Sequence, residues 1–199
     1  MQLLLASSNQ GKITEFAEYF QKLGIQPISQ ATLGIDDAIE DGIGFVDNAL
    51  IKARHAAMHT DLPVLADDSG LIVDALNGEP GLLSARYAGE HGNFNANIDK
   101  VIEGLQAQGL SASPARFYCC LVLLQNGPQD QMPLVFDGIW EGTVVTERSG
   151  DGGFGYDPIF IDPQTGLSAA AMSEQKKTCS HRAQALAKLM QYFTAQAAQ

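Results

Sequence analysis

Short apolar runs of strand type alternate with segments of helical period along this chain, without internal repeats or low-complexity linkers. That alternation confines the fold to the α/β class. Leu3-Leu4-Leu5-Ala6 reads as a short buried strand, and Ile13, Phe16, Ala17, Phe20 and Leu23 then recur at helical spacing. A Ser-Asn-Gln-Gly turn separates the two. A second helix is expected from Phe45 to about His59 and a third from about Asn95 to Gln108. Pro63-Val64-Leu65-Ala66 reads as a strand that delivers Asp67 and Asp68 at its carboxyl end, where α/β proteins place ligands. Arg116 to Leu124 and Leu134 to Val145 are two long strands parted by the turn-rich Gln125-Asn126-Gly127-Pro128, and Pro158 to Ile161 is a shorter one. The chain closes on a helix with the apolar stripe Ala183, Leu186, Leu189, Met190 and Phe193. Ser180 is its N-cap, so His181 and Arg182 fall in its first turn.

A length of 199 residues fits one domain, whole or two-lobed, and 45% hydrophobic with 18% charged residues can bury a core. No apolar run approaches the roughly 20 residues needed to cross a bilayer, and Met1-Gln2 leads into Leu3 without a basic n-region. The expectation is a soluble, cytoplasmic protein with no membrane partner. Three cysteines without CxxC spacing, Cys119, Cys120 and Cys179, point to neither a disulfide framework nor a zinc site, and the adjacent pair reads as buried strand. The net charge of -11 argues against nucleic acid as a partner, since a duplex binder shows a basic face. An acidic protein that handles a polyanion concentrates its few cations locally and offsets its carboxylates with metal. Lys12, Lys52, Lys176, Lys177 and Arg182 are the candidate cations.

Three motif matches fail on context. Gly150-Asp151-Gly152-Gly153-Phe154-Gly155 fits GxGxxG, yet Pro158 and a strand-like Ile159-Phe160-Ile161 follow where a dinucleotide fingerprint needs a helix. Gly11-Lys12 has the ending of a Walker A loop, but Ala6 stands at its first glycine and Ile13 where Ser or Thr belongs. His55 and His59 share a helix face, and Ala56 occupies the place of the base in HExxH.

Four other segments carry chemistry. Ser7-Ser8-Asn9-Gln10-Gly11-Lys12 lies between a strand and a helix start, where unpaired N–H groups attract phosphate. An ordinary capped turn uses the same residue types. Lys12 in the first turn opposes the helix dipole, a local cost that a bound phosphate reverses. In Ala66-Asp67-Asp68-Ser69-Gly70, two adjacent carboxylates repel unless a cation or shared proton relieves them, so a divalent metal gives them a role; a capped turn is the alternative. Glu40 is the expected partner ligand. Gly153-Phe154-Gly155-Tyr156-Asp157-Pro158 offers aromatics and a carboxylate, and Ser180-His181-Arg182 an imidazole and a guanidinium, which together suit a flat heterocycle. Glycines at 150, 152, 153 and 155, before and beside Phe154, leave the backbone loose enough to wrap a ligand. Singly, Phe154 and Tyr156 read as core, Lys176 and Lys177 as a solvated pair, and Arg182 as a surface arginine.

These segments, in this order from Leu3 to about Leu189, resemble the inosine triphosphate pyrophosphatase family, the XTP/dITP diphosphatases. The resemblance implies a long, mixed, twisted sheet with flanking helices, two lobes around a central cleft, and one nucleotide pyrophosphatase domain over 1–199. It implies Mg²⁺-dependent hydrolysis of ITP, dITP and XTP to the monophosphate and pyrophosphate, in a homodimer. Carried onto this chain, Asp68 is the catalytic base, and Glu40 and Asp68 hold the metal. Substrate contacts fall to Ser7, Ser8, Asn9, Gln10, Gly11, Lys12, Ser69, Phe154, Gly155, Tyr156, Asp157, Lys176, His181 and Arg182. The chain departs from the family at three places. Ser7-Ser8 stands where the family begins Thr-Gly-Asn. Ile39-Glu40-Asp41-Gly42 replaces two consecutive acids before Thr-Gly, with Glu40 favoured over Asp41 as the ligand. Ala171-Met172 replaces a Glu-Leu pair. Two alternatives stay open: a nucleotide pyrophosphatase of different base preference, and a nucleotide-binding module without turnover.

Overall fold

The computed structural model describes residues 1–21, 23–172 and 174–197. Six strands form one sheet in the order β2-β1-β3-β4-β5-β6. They are β1 (Gln2–Ala6), β2 (Gln26–Ser29), β3 (Val64–Val73), β4 (Ala112–Leu124), β5 (Leu134–Val145) and β6 (Phe160–Ile161). β1 runs parallel to β2 and β3, while β5 and β6 are antiparallel, so the sheet is mixed. The helices are α1 (Gln10–Gln21), α2 (Phe45–Ala57), α3 (Phe94–Ala107), α4 (Lys176–Cys179) and α5 (His181–Ala197). The expected α/β class, mixed sheet and flanking helices are therefore present.

The chain divides into two compact units, and β3, β4 and β5 each pass from one to the other. The first comprises Met1–Asp68, Cys119–Asp137 and Ala185–Gln199. Its core joins Leu3 and Leu5 of β1, Phe16 and Phe20 of α1, Leu65, Leu121 and Leu123 of the central strands, and Leu186 and Leu189 of α5. The C-terminal stripe read from the sequence thus meets the N-terminal strand. The second unit comprises Ser69–Tyr118 and Gly138–Gln184, around Leu71, Val101, Leu105, Phe117, Trp140, Tyr156 and Phe160. In β4 the burial pattern changes at the boundary: residues 112–118 alternate, and 119–124 are buried throughout. A strand covered on both faces loses its polar alternation. Cys119 and Cys120 fall in that covered stretch, as expected.

Several boundaries differ from expectation. β3 does not stop at Ala66; it runs ten residues to Val73, so Asp67, Asp68, Ser69 and Gly70 lie inside a strand rather than at its end. Consecutive acids read as a stop, yet the apolar Leu71-Ile72-Val73 beyond them carries the pairing on. β4 begins at Ala112 rather than Arg116. Asp157–Ile159 is a 3₁₀ turn, which leaves only Phe160–Ile161 as strand. β2, a polar edge strand containing Pro27, carried no apolar signal; a proline is tolerated at an edge.

Candidate active site

In the first unit, α1 starts directly after Asn9, whose Oδ1 accepts from the Lys12 N–H at 3.1 Å. The Ser7 Oγ accepts from the Asn9 N–H at 3.2 Å. Both side chains thus hold the turn, and the ordinary capping role read as one alternative is present. The Ser8 hydroxyl donates to Asp37 Oδ2 at 2.9 Å, and Gln30 Nε2 donates to the same carboxylate. A glycine at position 8 could not make that tie. Gln10 and Gly11 form the first turn of α1.

The Lys12 ammonium reaches Asp67 at 2.7 Å, and the Asp67 side chain is wholly buried. A lysine that opposes the helix dipole is here held by a strand carboxylate. On the other acid, Asp68 Oδ1 lies 3.0 Å from Lys52 Nζ, and the same ammonium is 3.4 Å from Glu40 Oε1. Two adjacent β3 carboxylates therefore relieve their repulsion on two different lysines, Lys12 from α1 and Lys52 from α2. Alternation along the strand sends neighbouring side chains apart, and each carboxylate has its own direct ion pair. Asp68 Oδ2 is buried with no hydrogen-bond partner among the described residues. Burial raises the Asp68 pKa, and although Lys52 opposes this, Glu40 adds to it and the net shift is upward. Burial alone would lower the Lys52 pKa, but the carboxylates of Asp68, Asp67 and Glu40 outweigh it and hold the ammonium charged. Glu40, rather than Asp41, is the acid of its loop paired to Lys52. Lys52 stood among the candidate cations but not among the assigned site residues; only the fold shows that it joins Glu40 to Asp68.

In the second unit, Asp157 organises the glycine-rich loop. Its buried carboxylate accepts from the Phe154 N–H at 2.8 Å and pairs with Lys176. Gly153 has φ +74°, and a Cβ there would overlap that carboxylate. The loop is therefore tightly packed at this point, not loose as its composition implied. Lys176 Nζ stands 5.4 Å from the Phe154 ring centroid, Arg182 Cζ 5.5 Å from it, and the Phe94 ring is 6.3 Å away. Phe154 thus carries two cations, within the range of cation–π attraction. Lys177 turns elsewhere, to an exposed pair with Glu174 at 3.0 Å.

Four expected contact residues are buried, Asp157, Tyr156, His181 and Arg182, so Arg182 is not the surface arginine it resembles when read singly. Tyr156 is buried, and its hydroxyl donates to Ser84 O at 2.8 Å; burial raises its pKa and keeps it a neutral donor. The His181 ring, 6% exposed, stacks on Phe117 with centroids 4.8 Å apart. Ser180 Oγ accepts from the Ala183 N–H at 3.2 Å, the N-cap expected for α5. Ser69 follows Asp68 in β3, and Gly155, at φ +63°, has open space where a Cβ would stand. Among the described residues no three His, Cys, Asp or Glu side chains converge into a complete metal cage, and no helix is long and apolar enough to cross a membrane.

Similarity to known proteins extends along nearly the whole chain. The Ham1 family profile matches residues 3–192. A dITP/XTP pyrophosphatase of Xanthomonas oryzae pv. oryzae is 53% identical over 188 residues, 94% of each chain. One from Xylella fastidiosa is 50% identical over 189 residues, again 94% of each. Among solved structures, a HAM1 protein from Coxiella burnetii superposes with a TM-score of 0.91 at 44% identity, covering 98% of this chain and 99% of that one. On the profile and these identities, the chain belongs to the Ham1 family.

Proposed function

We propose that this protein hydrolyses non-canonical purine nucleoside triphosphates, dITP, XTP and ITP, to the monophosphate and pyrophosphate, so removing them from the nucleotide pool. The names of the relatives support the substrate class. The observation that carries the chemistry is Asp68, a buried carboxylate with one oxygen on Lys52 and the other without a hydrogen-bond partner among the described residues.

Asp68 is assigned as general base. Burial raises its pKa, which makes it a better proton acceptor than an ordinary carboxylate. It accepts the proton of a water directed at the α-phosphorus, and pyrophosphate leaves. Lys12 and Lys52 supply positive charge toward the polyphosphate, and the α1 N-terminus adds its dipole. Lys52, paired with both Glu40 and Asp68, also limits the repulsion between the two carboxylates. The donor set fits Mg²⁺: Glu40 and Asp68 are hard oxygen ligands, and Asp68 Oδ2, which no described residue hydrogen-bonds, is an atom that burial disfavours unless a cation or a donor meets it. When bound, Mg²⁺ would neutralise phosphate charge and orient the triphosphate for in-line attack. Incomplete protein ligation suits this metal, which shares its coordination with water and substrate phosphates.

The base is assigned to the second unit. The Phe154 ring supplies a stacking face, and Arg182, with the start of α5, supplies donors. A 6-oxo purine presents an acceptor there. Adenine presents an amino donor, which would leave like groups facing each other. Guanine shares the 6-oxo group, so this contact does not by itself reject GTP. Tyr156 and His181 act from behind, through Ser84 and Phe117. A binding module without turnover is disfavoured, because pure sequestration of a polyanion gains nothing from Glu40, Asp67 and Asp68 together. We extend the proposal to a homodimer in the cytoplasm, testable by light scattering and fractionation.

The deciding experiment is pyrophosphate release from dITP, XTP, ITP, GTP and ATP, each with Mg²⁺ and with chelator. Rapid release from the first three, abolished by chelator and absent with ATP, is expected. Binding of dITP without release would move the protein into the binding-module class.

A further inference from the structure

One face of α2 carries Asn48, Lys52 and His55, four and three residues apart and so one above another. Each holds a different point of the irregular segment 36–42. His55 Nε2 donates to Asp36 O at 3.0 Å, Lys52 Nζ pairs with Glu40 at 3.4 Å, and Asn48 Oδ1 accepts from the Gly42 N–H at 2.9 Å. The order 36, 40, 42 against 55, 52, 48 shows the segment running antiparallel to the helix, as a strap with three rungs. The last rung is the most constrained. Asn48 is 2% exposed, and a Cβ at Gly42 would lie 2.6 Å from Asn48 Oδ1 and 2.7 Å from Asp47 Cβ. Only glycine lets the strap lie this close, and only then does its N–H meet the amide oxygen.

We infer that Asn48 is a positioning residue for the reaction, with His55 in a lesser role: they fix the strap from both sides and thereby set where the Glu40 carboxylate stands relative to Lys52 and Asp68. This rests on the role proposed for Glu40. The strap has no hydrogen-bonded secondary structure of its own to do the task. Lys52 is a single flexible ammonium shared by two carboxylates, and the other ties of the segment, from Ser8 and Gln30, hold Asp37, three residues before Glu40. Displacement of a reacting group by about 1 Å can cost about a hundredfold in rate, so the rungs matter even though neither touches substrate.

The test is a double-mutant cycle read on dITP turnover, together with amide hydrogen exchange at Gly42. Asn48→Ala should abolish protection of the Gly42 amide and lower kcat about tenfold or more, with KM changed less than about threefold. Asn48→Asp keeps the acceptor and should restore both. In the Glu40→Gln background, Asn48→Ala should add little, because a residue that acts through Glu40 is silent once that carboxylate is gone. His55→Ala, at a less buried position, should show a smaller loss with the same non-additivity. A full additional loss in the Glu40→Gln background would overturn the inference while leaving the role of Glu40 standing. So would unchanged Gly42 protection in Asn48→Ala. Glu40→Gln at wild-type rate would overturn the Glu40 assignment, and this inference with it.

Discussion

The two groups of charged side chains are built in opposite ways. In the first unit, Asp67, Asp68, Lys12 and Lys52 all project from regular strand or helix, and each charge is balanced by a partner on another element. In the second, Phe154 sits on an irregular loop whose shape depends on one buried carboxylate, Asp157, holding a backbone N–H and a lysine. A group that must hold a proton and phosphate charge gains from rigid elements, because small displacements are expensive. A surface that accepts one flat base and refuses another needs only a stacking face and a few donors, which a pinned loop provides.

The largest expected effect breaks the first group. Asp68→Asn should lower kcat on dITP about a thousandfold with KM changed only a few-fold, in steady-state assays, since it removes the proposed base and leaves Lys12, Phe154 and Arg182 in place. Next, Asp157→Ala should break the second. It strands Lys176 and the Phe154 N–H together, so unfolding free energy by urea titration should fall by about 3 kcal/mol.

A third carboxylate sharpens the contrast. Asp162 is buried like Asp68 but fully engaged, accepting from Trp140 Nε1 at 2.9 Å, the Thr165 N–H and hydroxyl, and the Gln164 N–H. Burial pushes its pKa up, but these bonds outweigh it and hold it below the ordinary 3.8. A carboxylate lowered on folding stabilises above its unfolded pKa and loses that contribution as pH falls through the folded value. Asp162→Ala should therefore cost about 2 kcal/mol near neutrality, and its deficit should shrink below pH 3.8, by thermal unfolding at several pH values. The smallest effect belongs to Lys188→Ala. Its pair with Asp137 is 55% and 45% exposed, and its loss should move stability by less than about 0.5 kcal/mol in the same assay.

The α/β class and most elements were legible because they rest on local periodicity: the stripe of α5, the start of α1 and the Ser180 cap all stand where the sequence put them. The boundary of β3 was not, since pairing with neighbouring strands decides how far a polar stretch stays extended. At the site, residue types were legible and partners were not. The sequence brought Asp67 and Asp68 together as repelling neighbours, whereas the fold divides them between Lys12 and Lys52. Likewise Tyr156 and His181 sit in telling motifs, but their immediate contacts are Ser84 and Phe117, set by packing over long sequence separations.

The most direct test of the division between chemistry and base choice is kcat/KM on dITP and on dATP for wild type, Asp68→Asn and Arg182→Gln. Asp68→Asn should slow both substrates by the same factor and leave their ratio intact. Arg182→Gln should raise KM for dITP about tenfold, hold kcat, and bring the ratio toward one, since an amide both donates and accepts. An Arg182→Gln enzyme that slows both substrates equally, or an Asp68→Asn enzyme with an altered ratio, would contradict the division.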